Sequence, residues 1–284
     1  MHDRVVDRAA AHATPAQLAI RDRLLVALTF ASGCYEAICF LSFGKVFSGF
    51  QTGNIVFLGV ALAGTRPPAG PVPLSVVVSL AAFAGGAMLT VRILRWFDGN
   101  EEIEDEEVFH VWPRRVSVVL GVVLIVQIGF LAAWLTTSPS TDAMYLMLGL
   151  NAFGMGAQMN AVRSLHVPAI STTAATATFI SLVSAIAGWS LTCRAAWRLT
   201  GTIVSLALGA LVADWMLSHA HAWAAVPPVL VIAIVIATAS RALTPADAQP
   251  DQPSLRTEHD FGASTPSTHA RSSDNARANH DIPA

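Results

Sequence analysis

Eight stretches of this chain are so poor in charge that water is the wrong solvent for them. Six are clear apolar blocks: Leu24–Gly44, Leu74–Ile93, Val116–Leu135, Ala143–Val162, Gly201–Leu217 and Ala224–Ala239. Two more, Val46–Gly64 and Pro168–Gly188, are apolar but carry polar residues at their starts. A run of about 17–25 mostly apolar residues can cross a ~30 Å hydrocarbon core as a helix. A soluble bundle would need a polar face on each helix, and these blocks have almost none. Charged residues are 13% of the chain, against about 25% in ordinary soluble domains. The fold class that follows is all-α: a polytopic membrane helical bundle whose natural surroundings are the lipid bilayer.

The ends differ from the middle. Residues 1–23 carry Arg4, Arg8, Arg21 and Arg23 and lead into a first block that reads as a retained span. That block is long, contains Glu36 and lacks an A-x-A exit, so it does not read as a cleaved signal peptide. The membrane domain is expected over 24–241. Residues 242–284 are rich in Pro, Ser, Asp, His and Asn without periodicity, the composition of a disordered tail. One soluble piece interrupts the domain: Asp98–Arg115 carries seven acids and ends in a basic pair. It reads as a solvated loop that could dock a partner.

Several chemistries have no visible machinery. Net charge is −2, and no basic-aromatic motif points to nucleic acid. Cys34, Cys39 and Cys193 are an odd number, spaced neither as a disulfide framework nor as a zinc site; they read as small apolar packing. His219 and His221 lack a third ligand, which makes them a weak metal signal. No H-E-x-x-H, G-x-S-x-G, Walker or dinucleotide fingerprint is present. No enzyme activity, metal or cofactor is expected.

The two interrupted segments align with each other. "TGNIVFLGVALAG" (Thr52–Gly64) laid over "TATFISLVSAIAG" (Thr176–Gly188) matches at five of thirteen positions, an offset of 124 that also sets Glu36-Ala37 over Asn160-Ala161. An internal repeat is expected, with repeat one over 24–136 and repeat two over 143–240. "GCYEA" followed by "FGKVFSGFQTGNIVFLGVALAG", with "GAQMNA" (Gly156–Ala161) in the second half, resembles the YoaK-like family of uncharacterised bacterial multi-pass membrane proteins. The resemblance spans about residues 24–240 and implies about six membrane spans, with no substrate or reaction attached. Two departures stand out: Glu36 occupies a position usually held by Asp, and Ala177 replaces the glycine of the second T-G.

Arginines discriminate between topologies. If all eight segments cross and the N-terminus is inside, eight Lys and Arg residues face the cytoplasm and six face out. If Val46–Gly64 and Pro168–Gly188 each enter and leave on one side, the count becomes twelve against two. The positive-inside rule favours the second arrangement: about six full spans plus two re-entrant or short helices. A bacterial inner membrane with both termini cytoplasmic follows. Three crossings per repeat is an odd number, so repeat two would be inverted, as in many secondary transporters.

Polar residues inside the blocks are then the candidate site. Glu36 sits twelve positions into its block, where an ionised carboxylate costs at least ~2.5 kcal/mol on insertion scales unless paired, protonated or beside water. A hydrogen bond to Gln158 or Asn160 of the other repeat would satisfy it. Thr52-Gly53-Asn54 either caps a helix beginning at Ile55 or forms a turn that binds an anion or polar solute. Asn151 and Gln158, seven apart, share one face of their block, while Gly149, Ala152, Gly156 and Asn160 form a small-residue face for close packing; Gly85-Gly86 reads likewise. Two functions compete. In one, a transporter or channel lines a site for a small polar solute or anion with Glu36, Thr52, Asn54, Gln158, Asn160 and Thr176. In the other, a non-transporting scaffold engages partners through 98–115 and the tail.

Overall fold

The computed structural model describes residues 14–64, 70–100, 111–138, 140–165, 167, 175–187 and 193–243, with the side chains of 98–100, 175–177, 185–186 and 193–195 also left out. The expected N-terminal segment before Thr14, most of the acidic loop, and the tail from 244 onward lie outside these residues, as do Arg66 and His166. Every regular element among the described residues is helical: α1 Pro15–Ser42, α2 Gln51–Leu62, α3 Pro73–Asn100, α4 Arg114–Thr136, α5 Thr141–Arg163, α6 Ala175–Ala187, α7 Cys193–His219 and α8 Val226–Ala242, with a 3₁₀ turn at His221–Trp223. The all-α membrane bundle expected from the sequence is what the chain forms.

Local chemistry sets the helix starts. Thr14 and Gln17 form a capping box at α1, with Pro15 at its first position. The Ser140 hydroxyl accepts from Ala143 N–H at the start of α5. Five helical stretches are long and apolar enough to cross a membrane: α1, residues 73–97, α4, residues 196–219 and residues 221–242. α5 has 23 residues, about 34 Å at 1.5 Å per residue, but Asn151, Gln158 and Asn160 lower its hydropathy. α2 and α6 have 12 and 13 residues, about 18–20 Å, less than the ~30 Å core. Large side chains such as Ile125, Leu211, Leu62 and Ile234 are exposed around the outside, as a lipid-facing surface requires.

Side-chain contacts give the helix directions. On α5, Asn151 reaches Tyr35 and Cys39 of α1, whereas Gln158 reaches Leu28 and Ser32. Advancing along α5 means retreating along α1, so the two run antiparallel. α3 and α5 run parallel: Gly149 lies against Val78, while Asn160 donates to the Ala87 carbonyl. α1 and α7 also run parallel, because Ser205 donates to the Val26 carbonyl and Gly209 abuts Phe30 and Cys34. Tyr35 packs edge-on to Phe130, and Phe43 packs against Trp134, so α4 follows the direction of α1.

Four glycines make the two closest crossings. A Cβ on Gly33 would overlap the Leu206 carbonyl of α7 and lie 3.2 Å from Ala210 N; one on Gly209 would overlap the Phe30 carbonyl and lie 3.0 Å from Cys34 N. In α3 and α5, a Cβ on Gly86 would overlap the Phe153 carbonyl and lie 3.0 Å from Ala157 N, and one on Gly156 would overlap the Phe83 carbonyl. Such backbone-to-backbone approach is what small residues permit in membranes, where lipid tails supply no hydrophobic drive between helices. The face Gly149–Gly156–Asn160 packs on α3, as its spacing predicted.

Candidate functional site

The polar residues at the start of α2 form a clasp. α2 begins at Gln51, not at Ile55, so Thr52, Gly53 and Asn54 belong to its first turn instead of preceding it. Its N-cap, Phe50, offers no side-chain acceptor. Glu36 of α1 binds the loop residues just ahead of that helix start. The carboxylate is buried, with 4% of the residue exposed. Its Oε2 accepts from Ser48 N–H at 3.1 Å, and its Oε1 accepts from the Ser48 hydroxyl at 3.2 Å and from Gly49 N–H. Negative charge at a helix N-terminus is favoured by the helix dipole as well as by these bonds.

Asn54, fully buried, ties the same loop from inside α2. Its Oδ1 accepts from Phe47 N–H at 3.1 Å, and its Nδ2 donates to the Phe47 carbonyl at 2.7 Å and to Gln51 Oε1 at 2.8 Å. Ser79 of α3 donates to the same Phe47 carbonyl at 2.6 Å, so the loop is fastened to α1, α2 and α3. Glu36 lies six residues before the end of α1, which sets the loop about 9 Å below that helix end. Backbone at that depth must find its partners inside the protein.

A second cluster lies one turn away, between α1, α4 and α5. Asn151 Nδ2 donates to Cys39 Sγ at 2.9 Å and approaches the Tyr35 carbonyl at 3.5 Å, while its Oδ1 accepts from Gln127 Nε2 at 3.1 Å. Gly154 leaves the room that the Gln127 amide occupies. Cys39 lies about one turn along α1 from Glu36, which sets this cluster beside the clasp. Two of its atoms, the Tyr35 hydroxyl and Gln127 Oε1, are buried with no hydrogen-bond partner among the described residues. An unsatisfied buried polar atom costs about 1–3 kcal/mol, so these two atoms weaken the fold where they lie.

The six residues expected to line one site therefore divide. Glu36 and Asn54 meet at the Val46–Gln51 loop. Gln158 sits one turn of α1 away, donating to Ser32 Oγ at 3.0 Å, and is not the partner of Glu36. Asn160 points to α3, where it donates to the Ala87 carbonyl at 2.9 Å, and is not that partner either. Thr52 is on the exposed side of its helix, away from Glu36. Thr176 falls in the first turn of α6, with its side chain outside the described residues. The sequence reading missed Tyr35, Ser48, Ser79 and Gln127. Gln127 carried a usable signal, as a lone amide deep in the Val116–Leu135 block. Bonds from Ser48 and Gly49 backbone carry none.

His219 and His221 do not form a pair: each stacks on a different tryptophan, Trp215 and Trp134. No group of three or more metal-ligating side chains occurs among the described residues.

A family profile described as "Protein of unknown function (DUF1275)" matches residues 24–238. The chain belongs to the DUF1275 family. The match begins ten residues into α1 and ends within α8, so it takes in the clasp, the cluster and both glycine crossings. Within this setting the chain is 30% identical over 170 residues to the UPF0700 transmembrane protein YoaK of Bacillus subtilis (strain 168), covering 60% of this chain and 69% of that protein. The YoaK-like resemblance of the sequence is thereby supported by two independent comparisons, and the DUF1275 chain is a multi-pass membrane protein. No solved structure matches it.

Proposed function

We propose that this protein is an inner-membrane carrier for a small polar solute or anion, built from two inverted repeats of three crossings and one half-length helix. The observation that carries this reading is the antiparallel pairing of α1 with α5, given that α3 runs parallel to α5. Because α1 and α3 then run in opposite directions, α2 begins and ends its excursion on one side of the membrane. The same logic returns α6 to the opposite side. Exchange of α1, α2, α3 and α4 for α5, α6, α7 and α8 turns the Gly33–Leu206 contact into Gly156–Phe83, and Gly209–Phe30 into Gly86–Phe153, at a constant offset of 123 residues. Inverted repeats with broken or half-crossing helices recur in secondary transporters, with sites near the repeat interface.

Charge agrees with six crossings. Every described arginine, from Arg21 and Arg23 through Arg92, Arg163 and Arg241, falls at the end of the bundle where α1 starts, and Lys45 falls at the other. The positive-inside rule makes the arginine end cytoplasmic, and with it both termini of the membrane domain. The solute site in this reading is the cluster of Tyr35, Gln127 and Asn151 beside the Glu36 clasp.

The test is uptake into proteoliposomes of radiolabelled amino acids, small organic acids and inorganic anions, each offered singly. Flux above protein-free vesicles for one class, lost at least tenfold in Gln127→Leu with the unfolding midpoint kept, is the expected result. A specific observation favours a second reading, a non-transporting scaffold: Glu36, Asn54 and Gln158 already have partners inside the chain. Silence across the whole panel, in protein shown to cross six times, selects the scaffold.

A further inference from the structure

A groove of about 300 Å³ runs along the outer side of α3 where it meets α5, lined by Ala87, Met88, Val91, Arg92, Arg95 and Asn160. Met88, Val91, Arg92 and Arg95 follow one helix face at i, i+3, i+4 and i+7. The face is graded in polarity. Toward the middle of the bilayer it is apolar, with Met88 and Val91 exposed; toward the helix end it carries two exposed guanidinium groups, with Trp96 exposed beside them. Neither Arg92 nor Arg95 has an acidic partner among the described residues. Asn160 forms the inner wall, held by its bond to the Ala87 carbonyl.

We propose that this groove binds an anionic phospholipid, with the phosphate between Arg92 and Arg95 and an acyl chain along Val91, Met88 and Ala87. Guanidinium forks match phosphate oxygens geometrically, and basic pockets between membrane helices on the cytoplasmic side suit anionic headgroups. Arginines that merely snorkel need no groove beside them; here an apolar wall continues from the charged rim along the same helix face. That wall argues for a lipid over a soluble phosphate, and over the acids of the 101–107 stretch, which carry no hydrocarbon tail to fill it. The inference is independent of the carrier reading, since it needs only the bilayer and the cytoplasmic end of α3.

Native mass spectrometry of delipidated full-length protein titrated with phosphatidylglycerol or phosphatidylcholine tests it. Phosphatidylglycerol adducts are expected to exceed phosphatidylcholine adducts at least fivefold on the wild type, and to fall at least fivefold in Arg92→Gln/Arg95→Gln. Arg241→Gln, a cytoplasmic arginine outside the groove, retains them. Val91→Trp, which fills the apolar wall and leaves both charges, also loses them, separating a lipid site from simple electrostatic attraction. Equal adducts on the double variant, or unchanged binding in Val91→Trp, overturn the proposal. So does a thermal stabilisation reproduced by inorganic phosphate alone.

Discussion

Gly33→Ala is the sharpest test of the packing that organises this bundle. The new methyl would overlap the Leu206 carbonyl and stand 3.2 Å from Ala210 N. Both are backbone atoms, which cannot swing aside as a side-chain end would, so α1 and α7 must separate along their contact. Overpacking of this kind costs about 1–3 kcal/mol. Alanine recovers up to ~1 kcal/mol of helix propensity over glycine, so the net loss should be about 0–2 kcal/mol, toward the upper end because both obstacles are backbone. Gly129→Ala supplies the baseline, since nothing lies within 4 Å of its Cβ; only the propensity term acts there. Reversible unfolding in mixed micelles, followed by tryptophan fluorescence, reads the difference. The expected order is Gly129→Ala at or above wild type, with Gly33→Ala, Gly86→Ala, Gly156→Ala and Gly209→Ala all below it. Double variants sharpen the reasoning. Gly33→Ala with Gly209→Ala loosens one interface twice and should cost less than the sum, whereas Gly33→Ala with Gly86→Ala opens separate interfaces and should add. A Gly33→Ala protein as stable as Gly129→Ala would refute the close approach of these helices, and with it the matched contacts that support the repeat.

Three other outcomes follow from the same structure. In a background without native cysteines, Lys45→Cys should react with an impermeant maleimide from outside the cell and Arg163→Cys only after permeabilisation; labelling on the reverse sides defeats the six-crossing topology. Asn54→Ala removes both of its bonds to Phe47, leaving the carbonyl to Ser79 and the N–H stranded, and should lower the unfolding free energy by about 1–3 kcal/mol, the penalty for a buried unpaired polar group; unchanged stability contradicts the clasp. Tyr35→Phe deletes a hydroxyl that has no partner among the described residues, so stability should hold or rise while any solute flux falls, and a large loss of stability would mean that the hydroxyl is already satisfied.

Hydropathy located the helices because lipid leaves little choice: backbone in hydrocarbon must close its own hydrogen bonds. It misplaced their beginnings. α1 starts at Pro15 and α7 at Cys193, each several residues before its apolar block, because a helix can extend past the lipid through turns too polar for hydropathy to count. Thr52–Gly64 and Thr176–Gly188 align at an offset of 124, yet the matched glycine contacts fall at 123. A one-residue difference is invisible to an alignment of short Ala-rich segments, but it decides which residue faces which helix. The importance of Glu36 was legible from the cost of a buried carboxylate. Its partner was not, because Ser48 and Gly49 answer with backbone N–H groups that any residue but proline would supply.

The clasp has no counterpart in the second half of the chain. At either offset, 123 or 124, the position of Glu36 corresponds to Met159 or Asn160, and that of Asn54 to Ala177 or Thr178, so no carboxylate matches it there. A bundle with matched glycine contacts is thus fastened asymmetrically, at the end where α1 finishes. For the loop at Ser48 and Gly49 to leave Glu36, its N–H groups must find another acceptor, since leaving them bare in hydrocarbon costs several kcal/mol. Water entering with a solute can provide one, and so can an anion that takes the place of the carboxylate at the start of α2. Glu36→Gln distinguishes a lock from a passive brace. The glutamine keeps one acceptor oxygen but turns an NH₂ toward donors, weakening the clasp while changing little in volume. If the clasp alone restrains this loop, amide exchange at residues 48–54 should speed at least tenfold in Glu36→Gln, with exchange in α1 near Gly33 unchanged. Uniform acceleration through α1 would instead assign Glu36 to the bundle as a whole, and the loop would have no motion separable from it.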